Sequence, residues 1–320
     1  MPAITMPALF PVTMDVTYVG PRSTFFVMQE RDIPDIKQAI RKGATHIIIC
    51  DTLTVPDDMQ AVLESAQIRF QQVSNIRQTF AMFCADAAFV PAERLNMYAV
   101  AGTKGTATTA SLLHRMLKNS GRKVALLSGD GNYVSDQSVE GISDFLRPDF
   151  LHQFLRLCLV NRVTDVVMEV PAQALTLEYL YDIECAGVIF TSFSPVKGEG
   201  YSFSHDYFVQ HCKIFSHVKP NALIILNADD SWTPKLLQQC NTPTLYSLRQ
   251  IPAHITATVQ HSQNHIDMTV LASDGCCTQK QIKLHSPTLC GNDNAYNILA
   301  ATAMAIKMHI AQDVIISAIQ

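Results

Sequence analysis

Residues 102–109 read GTKGTATT, and their residue types and spacing fit chemistry with phosphate. They follow the apolar run MYAVA and precede a segment of helix length. In that setting, loop amides and a helix N-terminus can hold phosphate oxygens. A loop that hydrolyses ATP carries Lys and then Ser or Thr directly after its second glycine, whereas Thr106 and Ala107 stand there in this chain and Lys104 precedes Gly105. The loop predicts either a nucleotide site with altered chemistry or a glycine turn that only joins a strand to a helix.

The elements around this loop alternate between short apolar strands and segments of helix length. From residue 97 onward the strands are MYAVA, KVALLS, DVVMEV, GVIFT and ALIILN, with helices over about 108–119 and 149–160. Such alternation predicts a doubly wound, mostly parallel sheet covered on both faces. The segments ITATVQ and IDMTVLA alternate instead and predict an antiparallel hairpin added to that sheet, followed by a last helix over about 294–308.

The first 96 residues predict a smaller α/β domain. A strand is expected over 23–29, a helix over 33–42 with Asp32 as its N-cap, a strand over 45–50 and a helix over 59–66. We therefore expect a domain of residues 1–96 and a second one of residues 97–320.

Composition excludes several classes of protein. Hydrophobic residues make up 48% and charged residues 16% of the 320 residues, which is typical of a folded globular chain. The net charge of −4 and the absence of a basic run argue against a nucleic-acid partner. No apolar run approaches the roughly 18 residues that a membrane span needs. The proline-broken start lacks the positive charge of a secretion signal, and nine cysteines without a CxxC pair fit a reducing compartment, so a cytoplasmic location is expected.

Histidine spacing adds no metal motif. His205 and His211 lie six residues apart, which does not place them on one face of a helix, so a zinc pair is not expected. The neighbouring Cys276 and Cys277 are expected to be strand residues on opposite faces rather than a redox pair.

Taken together, the motifs resemble those of the Mur ligases, and within them the MurE type. The family's GTxGKTTT loop corresponds to residues 102–109, and its EVSSHAL motif to EVPAQAL at residues 169–175. Its long segment TNLSRDHLDFHGTxxxYxxAKxxLF aligns without a gap to residues 191–215, its INADD motif to LNADD at 226–230, and its GxxNxxNxLAA motif to residues 291–301. The N-terminal segment DVTYVGPRSTFF resembles the family's uridine-nucleotide segment.

This resemblance implies an ATP- and Mg²⁺-dependent ligase that activates a carboxylate as an acyl phosphate, which an amine then converts to an amide. It implies that Glu169 is a Mg²⁺ ligand. It also implies altered residues at four positions, where the family carries its loop lysine, the histidine of EVSSHAL, the histidine of RDH and a carbamylated lysine. Those altered positions are Thr106, Gln173, Lys197 and His211. The nucleotide would contact Gly102, Thr103, Lys104, Gly105, Thr106, Thr108, Asn294 and Asn297. Asn297 either contacts adenine or only packs, Asn294 is either a ligand or an N-cap, and Glu169 is either a metal ligand or a solvated strand end.

Two functional interpretations remain open from the sequence. In the first, the chain is a MurE-like homologue that has lost most or all ligase activity and acts by binding a nucleotide, a UDP-sugar or a protein partner. In the second, it is an active ligase that adds an amino acid to UDP-MurNAc-dipeptide, with Lys104 or Lys197 in place of the loop lysine. The second interpretation requires the family's C-terminal ligase domain, which is expected to be absent from these 320 residues.

Overall fold

The computed structural model describes residues 4–142, 144–194, 204–249, 251–262, 264–273 and 279–320, and they form two sheets. The smaller sheet has four strands in the order β1-β2-β3-β4, all parallel. Its elements are β1 (Phe10–Thr13), β2 (Val19–Val27), α1 (Asp35–Arg41), β3 (His46–Cys50), α2 (Asp57–Ser65), β4 (Arg69–Val73) and α3 (Ile76–Ala87).

Two local expectations about this part are wrong. The second strand starts four residues and ends two residues earlier than expected, and the first helix begins at Asp35 with Pro34 as its N-cap residue. Asp32 instead closes a short 3₁₀ turn, where its carboxylate accepts the backbone N–H of Gln29 at 3.0 Å. Because Asp32 is engaged in that turn, its side chain does not cap the helix.

The larger sheet has eleven strands in the order β15-β14-β13-β12-β11-β10-β5-β9-β6-β7-β8. Its strands and helices, in chain order, are β5 (Asn96–Ala101), α4 (Thr106–Asn119), β6 (Val124–Ser128), β7 (Gly131–Val134), β8 (Gln137–Val139), α5 (Pro148–Val160), β9 (Asp165–Val170), α6 (Ala172–Thr176), β10 (Cys185–Phe190), α7 (Ser204–Cys212), β11 (Val218–Asn227), α8 (Thr233–Leu236), β12 (Thr244–Ser247), β13 (Ile255–His261), β14 (Ile266–Ser273), β15 (Gln279–Ser286), α9 (Asn292–Lys307) and α10 (Gln312–Ile319).

The centre of this sheet is parallel, and both of its ends are antiparallel. Strand β5 lies between β9 and β10 and is parallel to both, and the parallel pairing continues from β10 through β11 and β12 to β13. The expected mixed α/β architecture and the added hairpin β13–β14 are confirmed. A third strand, β15, continues the hairpin, and β7 and β8 form a second antiparallel edge that the sequence did not predict.

Apolar side chains cover both faces of the larger sheet. Successive residues of β5 alternate between them, so that Met97 and Ala99 belong to one cluster and Tyr98 and Val100 to the other. Helices α5 and α6 pack on the first face, while α4, α9 and α10 pack on the second. Because β5 is sandwiched on both faces and lies between two parallel strands, its carboxyl end is held rigidly against those of β9 and β10.

A buried polar contact joins the two sheets. The hydroxyl of Thr13 at the end of β1 donates to the carboxylate of Asp149 in α5 at 2.7 Å. We propose that the domain boundary lies just before Asn96, one residue from the predicted 96/97, because β5 begins at Asn96 and it and all later strands belong to the larger sheet. In the described part of the chain, no helix is both long enough and apolar enough to cross a bilayer.

Candidate functional site: the glycine loop after β5

The loop between β5 and α4 approaches other parts of the chain more closely than a side chain would allow. Gly102 has φ +133° and Gly105 has φ +76°. A Cβ atom added to Gly102 would lie 2.3 Å from Oγ1 of Thr191, and one added to Gly105 would lie 2.0 Å from Oδ1 of Asn297. Both positions therefore require glycine, for backbone conformation and for space.

Hydrogen bonds tie this loop to the chain that leaves β10. The backbone N–H of Thr103 donates to the carbonyl of Ser192 at 2.9 Å, and its hydroxyl accepts the N–H of Ser194 at 2.8 Å. From the other side, the hydroxyl of Thr191 donates to the carbonyl of Lys104 at 2.7 Å. The loop is thus fixed at both ends, while the Lys104 side chain is exposed to solvent.

Helix α4 begins at Thr106, two residues before the predicted start. The helix has 14 residues, and the backbone N–H groups of its first turn face the loop. Thr108 is partly buried in that turn. An N-terminus of this kind carries a partial positive charge that favours anions.

Glu169, on β9, faces the start of α4 and is satisfied by donors of the chain itself. Its Oε1 accepts the hydroxyl of Thr106 at 2.6 Å, and its Oε2 accepts the hydroxyl of Ser128 at 2.9 Å and the N–H of Gly129 at 2.9 Å. Ser128 is the last residue of β6, the neighbour of β9 in the sheet, and Gly129 follows it. No motif in the sequence pointed to either residue. The interpretation of Glu169 as a solvated strand end does not describe these contacts.

His211, on α7, lies in an aromatic enclosure. Its ring centroid is 4.7 Å from that of Tyr207, 5.8 Å from Phe193 and 5.9 Å from Phe190. It is 1% exposed, and neither ring nitrogen has a hydrogen-bond partner among the described residues. Burial lowers the pKa of His211 to about 4, so the imidazole is neutral at pH 7.

A cavity of about 640 Å³ connects these groups. Gly102, Thr106, Glu169 and His211 line it, as does Gln173 of α6, whose side chain is exposed. None of its described lining residues is Lys or Arg. Lys197 lies outside the described residues, as do Cys276 and Cys277.

The two asparagines of α9 differ in their positions. The helix begins at Asn292, so Asn294 is in its first turn and is not the N-cap; its side-chain N–H donates to the carbonyl of Cys290 at 2.9 Å. Asn297 is 7% exposed and packs against Gly105, and its amide contacts Oδ1 of Asn294 at 3.3 Å. The structure therefore brings Asn297 to the loop.

The aspartates that follow β11 also organise the neighbourhood of the loop. Asp230 accepts the N–H of Phe193 at 2.7 Å, which holds the chain leaving β10. Asp229 accepts the hydroxyl of Ser247 at 2.6 Å and that of Tyr296 at 2.9 Å, which links the ends of β11 and β12 to α9. The sequence identified these residues only as part of a motif and gave them no role.

The residues present fit a phosphate better than a magnesium ion. Loop amides and the start of α4 offer donors to an anion. For Mg²⁺, which prefers several oxygen ligands, Glu169 is the one carboxylate lining the cavity among the described residues, and three hydrogen bonds already occupy it. Among those residues, the one cluster of three or more side chains with metal-ligand spacing lies elsewhere, on β14 and β15.

A glycine loop that joins the central strand of a doubly wound sheet to a helix is an arrangement found in α/β folds of the nucleotide-binding type. Residues 100–305 match the model of the Mur ligase middle domain, which is more than half of the 320 residues. The chain belongs to the Mur ligase family, as the motifs predicted.

Similar proteins agree with that assignment. The chain is 26% identical over 295 residues to the UDP-N-acetylmuramoyl-L-alanyl-D-glutamate–2,6-diaminopimelate ligase of Alkaliphilus metalliredigens, with 89% of this chain and 55% of that protein covered. A solved structure of a ligase with the same name matches with a TM-score of 0.76 at 16% identity, over 97% of this chain and 62% of that one. A MurF ligase from Thermotoga maritima in complex with ADP matches with a TM-score of 0.62 at 16% identity, over 96% and 65%. The chain spans about half the length of the curated relatives it matches.

Proposed function

We propose that this chain is a MurE-like member of the Mur ligase family in which ATP-dependent ligase activity is largely or wholly lost, and that it acts by binding. The observation that carries the proposal is the charge of the cavity. Its described lining holds one carboxylate, Glu169, and one neutral imidazole, His211, with no basic side chain. Transfer of a phosphoryl group concentrates negative charge, which enzymes offset with cations aimed at the reacting oxygens.

The size of the expected defect follows from the positions changed. Loss of one donor that stabilises transition-state charge costs about 10² to 10³ in rate. Thr106 and Ala107 remove both the ammonium and the hydroxyl that a phosphate loop places after its second glycine. Two such losses together predict a rate lower by about 10⁴ to 10⁶.

Binding remains compatible with what the loop retains. The left-handed glycines add no side chains of their own at residues 102 and 105, so the loop packs closely against Thr191 and Asn297. A phosphate group of a nucleotide or UDP-sugar can then reach backbone donors of the loop. Without a countercharge, such binding is weak. If it is absent, the fold serves as a platform for a protein partner.

The second candidate is an active ligase that adds an amino acid to UDP-MurNAc-dipeptide. Lys104 favours it, because this residue belongs to the loop whose Gly102 and Thr103 line the cavity, its side chain is exposed, and a lysine acts as a point charge. The names of the curated relatives favour it too, although they describe proteins of about twice the matched length. Lys197 is a further candidate for the relocated charge.

Calorimetric titration with Mg²⁺ and a non-hydrolysable ATP analogue separates these possibilities. We expect millimolar binding by the wild-type chain and at least tenfold tighter binding by Thr106→Lys, because the new ammonium stands where a phosphate loop carries its lysine. Thr108→Lys is the matched control, with the same charge two residues away, and should gain less.

The other outcomes are distinct. Micromolar binding by the wild-type chain that Glu169→Ala or Lys104→Met weakens would support the active ligase. No gain in Thr106→Lys, with the fold intact by circular dichroism, would mean that the loop does not bind nucleotide, and the search would move to protein partners.

A further inference from the structure

Three metal-ligating side chains converge on the solvent face of the antiparallel strands β14 and β15. His265 precedes β14 and Asp267 lies within it, so the two share a side of the strand, and Asp267 is paired directly with His285 of β15. On the opposite face, Ile266 and Met268 are buried in the core. A shift of β14 by one residue would expose Ile266 and Met268 to water, which is unfavourable. This burial therefore keeps His265 and Asp267 on the solvent face.

The side chains meet at short distances. Nδ1 of His285 is 2.8 Å from Oδ1 of Asp267, and Nε2 of His265 is 3.3 Å from Oδ2 of the same carboxylate. The two imidazole centroids are 5.2 Å apart, and one ligand atom of each residue lies within 4.8 Å of the others. All three side chains are between 37% and 49% exposed, so an ion can reach them from solvent.

We propose that His265, Asp267 and His285 form a binding site for a divalent transition metal of the Zn²⁺ class. Two imidazoles and one carboxylate are a ligand set that Zn²⁺ accepts, with a fourth position left for water. Tetrahedral ligands about 2.0–2.2 Å from zinc are roughly 3.3–3.6 Å apart. The two histidine–aspartate separations, 2.8 and 3.3 Å, lie near that spacing, and all three ligand atoms lie within 4.8 Å of one another.

The neighbouring side chains favour metal binding at this site and also limit its affinity. The Asp267 carboxylate already lies between the two imidazoles, with an oxygen within 3.3 Å of a ring nitrogen of each. Lys283 lies on the same face of β15, two residues from His285, and its positive charge repels a metal ion bound there. A bound ion would link β15, the outermost strand of the sheet, to β14.

The test is titration of the whole chain, under reducing conditions, with Zn²⁺ by calorimetry and with Co²⁺ by absorption spectroscopy. We expect one equivalent bound and a Co²⁺ spectrum without the near-ultraviolet band that thiolate ligands produce. Asp267→Asn and His285→Gln should each weaken binding at least 30-fold. His261→Gln is the matched control, since this exposed histidine of the neighbouring β13 lies outside the cluster, and it should change the affinity less than twofold.

A further variant tests the sign of the electrostatic effect. Lys283→Gln should tighten Zn²⁺ binding several-fold if the ion sits at this site. The proposal is overturned if the wild-type chain binds no Zn²⁺ at 100 μM, which corresponds to a Kd above about 10⁻⁴ M. It is also overturned if Asp267→Asn binds Zn²⁺ as tightly as the wild type does, or if the Co²⁺ spectrum shows thiolate ligation. Circular dichroism of each variant separates loss of the site from loss of the sheet.

Discussion

Replacing Asp149 with Asn should weaken the contact that joins the two sheets. The Asp149 side chain is fully buried, at 0% exposure, and accepts three hydrogen bonds. The donors are the hydroxyl of Thr13 at 2.7 Å, Nε of Arg147 at 2.7 Å and the N–H of Phe150 at 2.9 Å. The Arg147 side chain is itself only 13% exposed, and its second carboxylate partner, Asp15, is 3.4 Å away. The change therefore leaves a nearly buried guanidinium without its shortest ion pair.

The magnitude follows from burial. Hydrogen bonds to charged groups contribute about 1.5–3 kcal/mol each, and breaking one partner of a buried ion pair costs about 3–5 kcal/mol. Asn keeps the volume of Asp149 and still accepts hydrogen bonds through one oxygen, so we expect a loss of about 3 kcal/mol in the free energy of unfolding. Arg147→Met should cost a similar amount, because it leaves the Asp149 carboxylate buried and unpaired.

Urea unfolding, followed by circular dichroism and by the fluorescence of the single tryptophan, Trp232, measures these losses. The double variant Asp149→Asn with Arg147→Met should be about 2 kcal/mol more stable than the sum of the two losses implies, because neither charge is then left buried alone. Asp58→Asn is the control: it breaks the exposed ion pair with Lys37, at 3.0 Å, and should leave the midpoint unchanged. Strictly additive losses, or an unchanged midpoint in Asp149→Asn, would refute the reasoning.

Two further predictions concern the loop and a buried histidine. Gly105→Ala should lower the free energy of unfolding by at least about 1 kcal/mol more than Gly121→Ala. Both glycines have positive φ, but a Cβ would lie 2.0 Å from Asn297 at the first and meets nothing within 4 Å at the second; equal losses in thermal denaturation would mean that the close approach is unimportant. Burial lowers the pKa of His152 to about 4, compared with about 6.5 in the unfolded chain. The free energy of unfolding is therefore unaffected by this group above pH 6.5. It falls by up to about 1.4 kcal/mol per pH unit as the pH drops from 6.5 toward 4, because only the unfolded chain then binds the proton. His152→Leu should flatten the dependence of the unfolding midpoint on pH between 6.5 and 4, and an unchanged slope would contradict this assignment.

Much of the architecture follows from local pattern. The strands β5, β6, β9 and β10, and the second half of β11, are mainly apolar runs bounded by polar or turn residues, as a strand buried on both faces requires. The alternation of β13 and β14 likewise predicted a hairpin with one buried face. Strands β7 and β8, of four and three residues, escaped prediction because so short a segment shows no period. They are stabilised by pairing instead, β7 with β6 and β8 with β7.

The helix starts show how neighbours override local signals. Asn294 has the residue type of an N-cap, but α9 starts two residues earlier, after Gly291 at φ +83°. α4 starts at Thr106 because Gly105 supplies a left-handed turn directly before it. Residue type indicated that a helix would begin nearby, and the backbone conformation of the preceding glycine decided where.

The sequence by itself determined the family, the order of most strands and helices, and the place of the loop, because these depend on periodicity and on motifs read along the chain. Tertiary structure alone decided what the loop can do. Ser128 and Gly129 reach Glu169 because β6 and β9 are neighbours in the sheet, and residues 41 and 40 positions apart in the chain thereby share one carboxylate. The pKa of His211 and the lack of a basic side chain in the described lining depend likewise on which elements pack together, since desolvation and the field of nearby charges act through space rather than along the chain.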